Sequence, residues 1–574
     1  MKSWRTTNSL RQGARLLTLC LALSFSTPVL ASVGHQATIT ATIGASVAEQ
    51  APAGAAPAAE APAETPKATV ESAEDPWYFE LLPIMILLAV VAFVLGRLPP
   101  VEGVEHSPAF RKRRVMNWLP LGLTYAFLYM GRYNLKVSKF AFEEMLDPSG
   151  GSMMGNDDFS FIFTVGVWVY GSSFLLNGPL TDRFGGKLAI LLGAGGAAVA
   201  NLLMGLCSWS LLTAGPMHEA IANNFVTIFS ALYGLNMYFQ SFGAVAIVKC
   251  NAPWFHVRER GVFGAIFGIL ISLGIYFAFD WGYMIVKQIG VAEVFFIPAI
   301  LLTIFWVVDY FIVRDTPGLA GFDDFDTADA SSGDEGPQLG AMQVFKMMLT
   351  NPIILTIAAV EFCSGFIRQA PMQWYRTFAK QTDIALQLKG DFIYEHWGMW
   401  LCIAGISGGV IAGVISDRVF QSRRGPVAAI LYLGVILGSI GLLFFFNTPV
   451  LDFGGGFKLS VPGIFAIIIS MCVIGVHGML SGTASMDFGG KKNVGIAVGI
   501  IDGFVYLGTG VMSLTYGFVL PREEFDTEGN LTGPVTDPAN WSPWPISMII
   551  IGLAGFLLAT RVWNAKPKPK TSKA

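Results

Sequence analysis

Long apolar segments recur along this 574-residue chain at about 115–142, 159–180, 188–209, 224–250, 261–286, 291–313, 352–379, 396–416, 426–446, 461–485, 494–520 and 545–563, twelve in all. Each is close to or above the roughly 20 residues that an α-helix needs to cross a bilayer. In hydrocarbon every backbone polar group must be satisfied inside the segment, so such a chain is confined to a bundle of spanning helices. Composition agrees, with 53% hydrophobic and only 13% charged residues, against about 25% charged in an ordinary soluble domain. The lipid bilayer is therefore its first partner. A net charge of −3, with basic residues in short clusters, argues against nucleic acid.

Loop charges give the direction of each span, because short cytoplasmic loops collect Lys and Arg. Alternate loops carry "RKRR", "DRFGGK", "HVRERG", "DRVFQSRRG" and "GGKKN", and the chain ends in "KPKPKTSK". The loops between them, such as "EEMLDPSGGSMMGNDD" and "PREEFDTEGNLTGPVTDPANW", are acidic or neutral. The basic set is expected inside, which places both ends of the twelve-helix block and the C-terminus in the cytoplasm. A long acidic segment, 314–346, divides the block into an N-terminal half at 112–313 and a C-terminal half at 347–563, followed by a basic tail at 564–574.

The front of the chain is composite. Residues 1–31 have a basic start, an apolar centre and small residues at Val29 and Ala31, the layout of a secretory signal peptide, either cleaved after Ala31 or kept as an anchor. Residues 32–75 are an Ala/Pro-rich stretch that cannot bury enough apolar area to fold and reads as an exported, periplasmic tether. Its composition alone suggests a periplasmic partner. An additional apolar stretch at 76–98 is long enough to span once, and it must run outside to inside. The six cysteines have no CxxC neighbour, so buried free thiols are expected.

An internal repeat relates the halves. "GPLTDRFGGK" follows the second span and "GVISDRVFQSRR" the eighth, and Gly178, Asp182 and Arg183 correspond to Gly413, Asp417 and Arg418 at an offset of 413 − 178 = 235. The same offset carries Arg132 of "LYMGRYNLKVSKF" to 132 + 235 = 367, one residue from Arg368 of "EFCSGFIRQAPMQWYRTF". An arginine facing lipid is costly, so both are expected to face the bundle interior near the midplane, where they converge between the halves. Guanidinium forks suit a planar or tetrahedral oxyanion, phosphate above all. The competing reading is an ion pair with Glu361 or Asp502.

The "G-x-x-x-D-R-x-G-G-K" loop resembles the signature of the major facilitator superfamily. "YMGRYN", "FIRQAPMQWYRTF", "WFHVRERGVFGAIFG" and "GIIDGFVYLGTG" resemble segments of its organophosphate:phosphate antiporters, and the likeness covers roughly 112–563. The resemblance implies an all-α membrane protein of the major facilitator fold, with 6+6 pseudo-symmetric transmembrane helices and here one extra N-terminal helix. It implies a secondary transporter of the bacterial inner membrane, not an enzyme, that exchanges a sugar phosphate or related phosphate ester for inorganic phosphate, with no cofactor and no metal. Arg132 and Arg368 would hold the phosphoryl group. One departure is Pro253, which stands where the glycerol-phosphate branch has histidine and points toward the sugar-phosphate branches.

Further candidates surround the arginines. Lys136, at i+4 from Arg132, either widens the anion site or reaches for the outer surface, as Lys139 is expected to do. Tyr129 and Asn134 are substrate contacts or packing residues; Lys249 is a third ligand cation or a headgroup anchor. Gln373 and Trp374 line a sugar site or mark an interface, and Asp502 pairs with Arg368 or touches the sugar. His477 is expected as a satisfied core histidine. Asp182, Arg183, Asp417 and Arg418 are expected as gating latches at the inner surface. Two other functions stay open: a transporter-like membrane sensor of phosphate esters, and a proton-coupled importer of another organic anion that would use Glu361, Asp502 or His477.

Overall fold

The computed structural model describes residues 85, 106–148, 150–256, 260–325, 341–420, 423–454, 457–484, 494–526 and 530–565. The signal segment, the tether and, apart from Met85, the extra span lie outside the described residues. So do residues 326–340 of the acidic linker, the loop 485–493 and the tail from 566. The chain divides into two units, Met1–Val90 with Asp452–Phe457, and Val91–Leu451 with Lys458–Ala574. The described part of the smaller unit is chiefly a tight turn, in which Gly454 at φ +83° donates its amide to Asp452 Oδ1 at 2.8 Å.

Among the described residues of the larger unit are twelve long helices: α1 Pro108–Glu143, α2 Asn156–Phe184, α3 Gly186–Thr213, α4 Phe225–Asn251, α5 Arg260–Tyr276, α6 Glu293–Ile312, α7 Pro352–Gln381, α8 Trp397–Val414, α9 Arg424–Phe445, α10 Val461–His477, α11 Val494–Val519 and α12 Pro543–Arg561. The two halves begin alike. Ser107 caps α1 by accepting from the Phe110 amide at 3.1 Å, Asn351 caps α7 by accepting from the Ile353 amide at 3.0 Å, and a proline occupies the first turn of each.

Nine helices among the described residues are long and apolar enough to cross a membrane, and α1 is outside that set although it has 36 residues. Its charges are the reason: Arg132, Lys136 and Lys139 all point into the protein, where apolar average no longer reports lipid exposure. The lipid-facing side is carried instead by stripes such as Leu188, Leu192, Val199, Leu203 and Leu206 on α3 and Ile546, Ile550, Leu553 and Leu557 on α12, all exposed. This is a multi-pass membrane protein.

With lipid on the outside, helices associate through close packing of small residues. α7 and α11 approach so nearly that a Cβ at Gly365 would sit 1.9 Å from the Val505 carbonyl oxygen, and one at Gly508 2.0 Å from that of Phe362. The halves meet along α2 against α11 and α5 against α8, two contacts related by the internal repeat. α5 continues through a π-helical turn, Phe277–Trp281, into Gly282–Gln288, where the sequence pattern had suggested one unbroken span. Cys207, Cys250, Cys363, Cys402 and Cys472 are free thiols.

Candidate anion site

One face of α1 carries Tyr125, Tyr129, Arg132, Tyr133 and Lys136, spaced three and four residues apart and all buried. Arg132 is only 2% exposed. Its Nε donates to Gln240 Oε1 on α4 at 3.0 Å, its Nη2 to the Tyr170 hydroxyl on α2 at 2.9 Å, and its Nη1 to the Tyr506 hydroxyl on α11 at 3.4 Å. The rings of Tyr129 and Tyr170 lie 4.6 and 4.4 Å from the guanidinium carbon. Every one of these partners is neutral, so the cation is oriented without being neutralised.

Gln240 is itself fixed. Its Nε2 donates to Asn236 Oδ1 at 3.0 Å, and Asn201 Nδ2 donates to the same oxygen at 3.1 Å. Asn134 ends this amide chain by donating to Asn201. Two residues beyond Arg132, it occupies a different face of α1, so it reaches the arginine only through Asn201, Asn236 and Gln240 and is not brought to the site directly.

Arg368 stands apart in the same region. It is partly exposed, and its buried Nε has no hydrogen-bond partner. Tyr133, on the same face of α1 as Arg132, accepts from Gln369, the residue next to Arg368. Among the described residues it makes no ion pair with Glu361 or Asp502. Glu361 instead pairs with His477 Nδ1 at 3.0 Å, and Asp502 accepts from Ser481 in the π-helical turn that follows α10. Gln373 donates to Gln369 at 2.9 Å and Gln369 to the Tyr133 hydroxyl at 3.2 Å, which ties α7 to α1 beside Arg368.

Lys136 is buried between the halves rather than snorkelling. It donates to Thr377, and its Nζ lies 4.7 Å from the centroid of Phe159 and 5.4 Å from that of Trp374. Lys139 corrects the sequence expectation: it is fully buried and paired with Glu143 at 3.4 Å and Glu523 at 3.0 Å. Lys249 is exposed near the last turn of α4. Nine residues past Gln240, it lies roughly 13 Å further along the helix axis and is not gathered with the arginines. Pro253 falls in the 3-10 turn after α4, beyond Lys249, so its identity carries no information about the groups around Arg132.

Lys139 belongs to a network that sequence reasoning did not find. At the end of the bundle where α1 finishes and α2 begins, Lys380 pairs with Glu143 at 3.6 Å and Glu144 at 2.9 Å, and Gln381 donates to Glu143 at 2.8 Å and Glu523 at 2.7 Å. The Asn156 amide donates to Glu523 as well, at 2.9 Å. Nearby, Asp280 in the π-helical turn after α5 accepts from the amides of Gly398 at 2.7 Å and Met399 at 2.8 Å. It thereby caps the start of α8 from the other half of the molecule. This acidic end is sealed. The opposite, basic end carries Arg183, exposed and 5.9 Å from the Phe184 ring; the side chains of Asp182, Asp417 and Arg418 lie outside the described residues.

Comparison with known proteins agrees with this architecture. A sequence profile described as the Major Facilitator Superfamily matches residues 121–513. The chain belongs to that superfamily. It is 26% identical to the "Glycerol-3-phosphate transporter" of Bacillus subtilis over 81% of this chain and 96% of that protein. It is 22% identical to a "Probable hexose phosphate transport protein" of Chlamydia pneumoniae over 83% of this chain and 98% of that protein. It is also 23% identical to the "Membrane sensor protein UhpC" of Salmonella typhimurium, over 71% and 84%. Among solved folds, a bacterial homologue of the human lysosomal transporter Spinster, described as inward-facing and unoccupied, matches with a TM-score of 0.59 at 12% identity, covering 80% of this chain and 99% of that one. The relatives named are transport proteins and a membrane sensor, and none is an enzyme.

Proposed function

We propose that this protein is a secondary transporter of the bacterial inner membrane that exchanges a phosphate ester for inorganic phosphate by alternating access. The observation that carries the proposal is the pair Arg132 and Arg368, on symmetry-related helices, neither of them ion-paired to a carboxylate among the described residues and Arg368 with its buried Nε unpartnered. The transport names of the glycerol-3-phosphate and hexose phosphate relatives support the same substrate class. On this reading the basic end is the cytoplasmic one and the acidic end, bridged by the Lys139, Glu143, Lys380 and Glu523 network, the periplasmic one.

The electrostatics supply the coupling. Two interior guanidinium groups, Arg132 buried and Arg368 partly exposed, repel when no anion lies between them, and they favour keeping the halves apart. A phosphoryl dianion bridging them removes that repulsion and favours closure, after which the network at Lys139, Lys380 and Glu523 and the Asp280 cap must release for the other side to open. Phosphate or its ester performs the bridging equally, and an empty carrier does neither. Exchange rather than net flow follows.

The test is uptake of labelled phosphate into proteoliposomes. Uptake is expected only when the lumen is preloaded with phosphate or a phosphate ester, and it should be indifferent to a collapsed proton gradient. Uptake into empty vesicles driven by a proton gradient would overturn the antiport reading and move attention to Glu361, His477 and Asp502. The similarity to a membrane sensor favours one second reading, in which the same site binds phosphate esters without exchanging them; binding without any exchange would select it.

A further inference from the structure

On the acidic side of the arginine pair lie two more buried cations, Lys136 on α1 and Arg376 on α7. The Arg376 guanidinium carbon sits 3.5 Å from the centroid of Tyr283 and 4.2 Å from that of Tyr394, and its Nε and Nη1 have no hydrogen-bond partner. Lys136 donates to Thr377, the residue after Arg376, and its Nζ faces the rings of Phe159 and Trp374. The Tyr283 hydroxyl, on the helix Gly282–Gln288, and Gln373 Oε1 and Trp374 Nε1, on α7, are also buried without hydrogen-bond partners.

The charge balance sets these two apart from their neighbours. Lys139 and Lys380 share Glu143, Glu144 and Glu523. Among the described residues no carboxylate lies within ion-pair distance of Lys136 or Arg376. A charge held inside the membrane without an opposite charge is costly, and such groups ordinarily mark a ligand path. With Arg132 and Arg368 four interior cations stand without a carboxylate at ion-pair distance; Asp280 acts on Arg376, and Glu143 and Glu523 on Lys136, only from further away, and one phosphoryl group carries about two charges against these four.

Helix geometry gives the spacing. Lys136 is one turn from Arg132, about 6 Å along the axis, and Arg376 is two turns from Arg368, about 12 Å. We infer that Lys136 and Arg376 form a second anion site, and that the preferred organophosphate carries a second anionic group, a carboxylate or a further phosphoryl, roughly a three-carbon chain or more from the first. This rests on the proposed placing of the phosphoryl group at Arg132 and Arg368. Glycerol 3-phosphate and glucose 6-phosphate present only hydroxyls at that distance, whereas 3-phosphoglycerate presents a carboxylate and fructose 1,6-bisphosphate a second phosphoryl group.

The experiment compares how these four compounds compete with labelled phosphate for the wild-type protein in preloaded proteoliposomes, and how they bind the detergent-solubilised protein by calorimetry. Phosphoglycerate or the bisphosphate is expected to outcompete glycerol 3-phosphate by roughly ten- to a hundredfold, the worth of one charge-assisted hydrogen bond. In Lys136→Gln and Arg376→Gln that ratio should collapse toward one, while the charge-keeping Lys136→Arg retains it. A wild-type ratio near one overturns the inference with no need of any variant, and so does a ratio that survives both substitutions. Loss of exchange with the binding ratio intact overturns the antiport reading instead and leaves the second site standing. The stronger of the two competitors with a second anionic group names that group.

Discussion

Arg132 and Arg368 are related by the same repeat, yet their surroundings differ in kind. Arg132 is held on all sides, by Gln240, Tyr170 and Tyr506, with an amide chain through Asn236 and Asn201 behind it. Arg368 has no such cradle, and its Nε is unpartnered. Duplication carried over the position of the charge and not its environment. On the proposed function, the N-terminal half offers a pre-oriented anchor, and the C-terminal half a cation whose partners arrive with the ligand.

The largest effect should come from conservative exchange at the anchor. Arg132→Lys is expected to lower phosphate exchange roughly a hundredfold or more, because one ammonium cannot serve three spread acceptors and a phosphoryl group, and leaves buried acceptors without a donor. Arg368→Lys should cost only about tenfold in apparent affinity for phosphate, since a flexible point charge replaces a cation with no fixed geometry to lose. Equal losses in parallel exchange assays would break the contrast between the two halves.

A smaller effect is expected at the sealed end. Glu523 accepts from Lys139, Gln381 and the Asn156 amide, so Glu523→Gln removes a charge on which both halves depend. Spin labels on Leu146→Cys and Asp537→Cys, placed on the two sides of the seal, should show a longer distance population that is minor in the parent protein. Each kcal/mol lost from the seal shifts the balance about fivefold. An unchanged distribution would mean that the Asp280 cap on α8 holds that end by itself.

Much of this was legible from residues alone. Spans, the six-and-six division and the paired arginines follow from apolar run length and one numerical offset, both of which survive projection onto a line. The seal was not legible, because Lys139, Lys380, Glu143 and Glu523 are separated by up to 384 residues, and a lysine near a helix end looks the same whether it snorkels or is buried. Arg376 was passed over for a related reason. It stands one residue past Tyr375 in a stretch rich in Trp and Tyr, which reads as a membrane interface, and only the cage of Tyr283 and Tyr394 shows it to be interior. Of the two readings of Asn134, its hydrogen bond to Asn201 agrees with packing, since adjacency in sequence to Arg132 is not adjacency on the helix face.

The finest test concerns the support of the C-terminal half. Asp391, in the loop between α7 and α8, accepts from the amides of Ile393 at 2.6 Å and Tyr394 at 3.1 Å and from the Tyr375 hydroxyl at 3.1 Å, which fixes the turn that lays Tyr394 on Arg376. Burial nevertheless pushes its carboxyl up to about 6 from the ordinary 3.8, against the lowering effect of those hydrogen bonds. A carboxyl raised on folding binds its proton first in the folded state, so its contribution to stability grows as pH falls through about 6 and is complete below about 4. Asp391→Asn keeps an oxygen for both amides and removes the buried charge. The melting temperature at pH 7 should therefore rise by a few degrees, and the gain should shrink through pH 5 and vanish by about pH 4, in parallel thermal scans of the two proteins at pH 7 and pH 4. A variant less stable at both values would show that the carboxylate is a net support, and that the C-terminal half wires its cations as firmly as the N-terminal half wires Arg132.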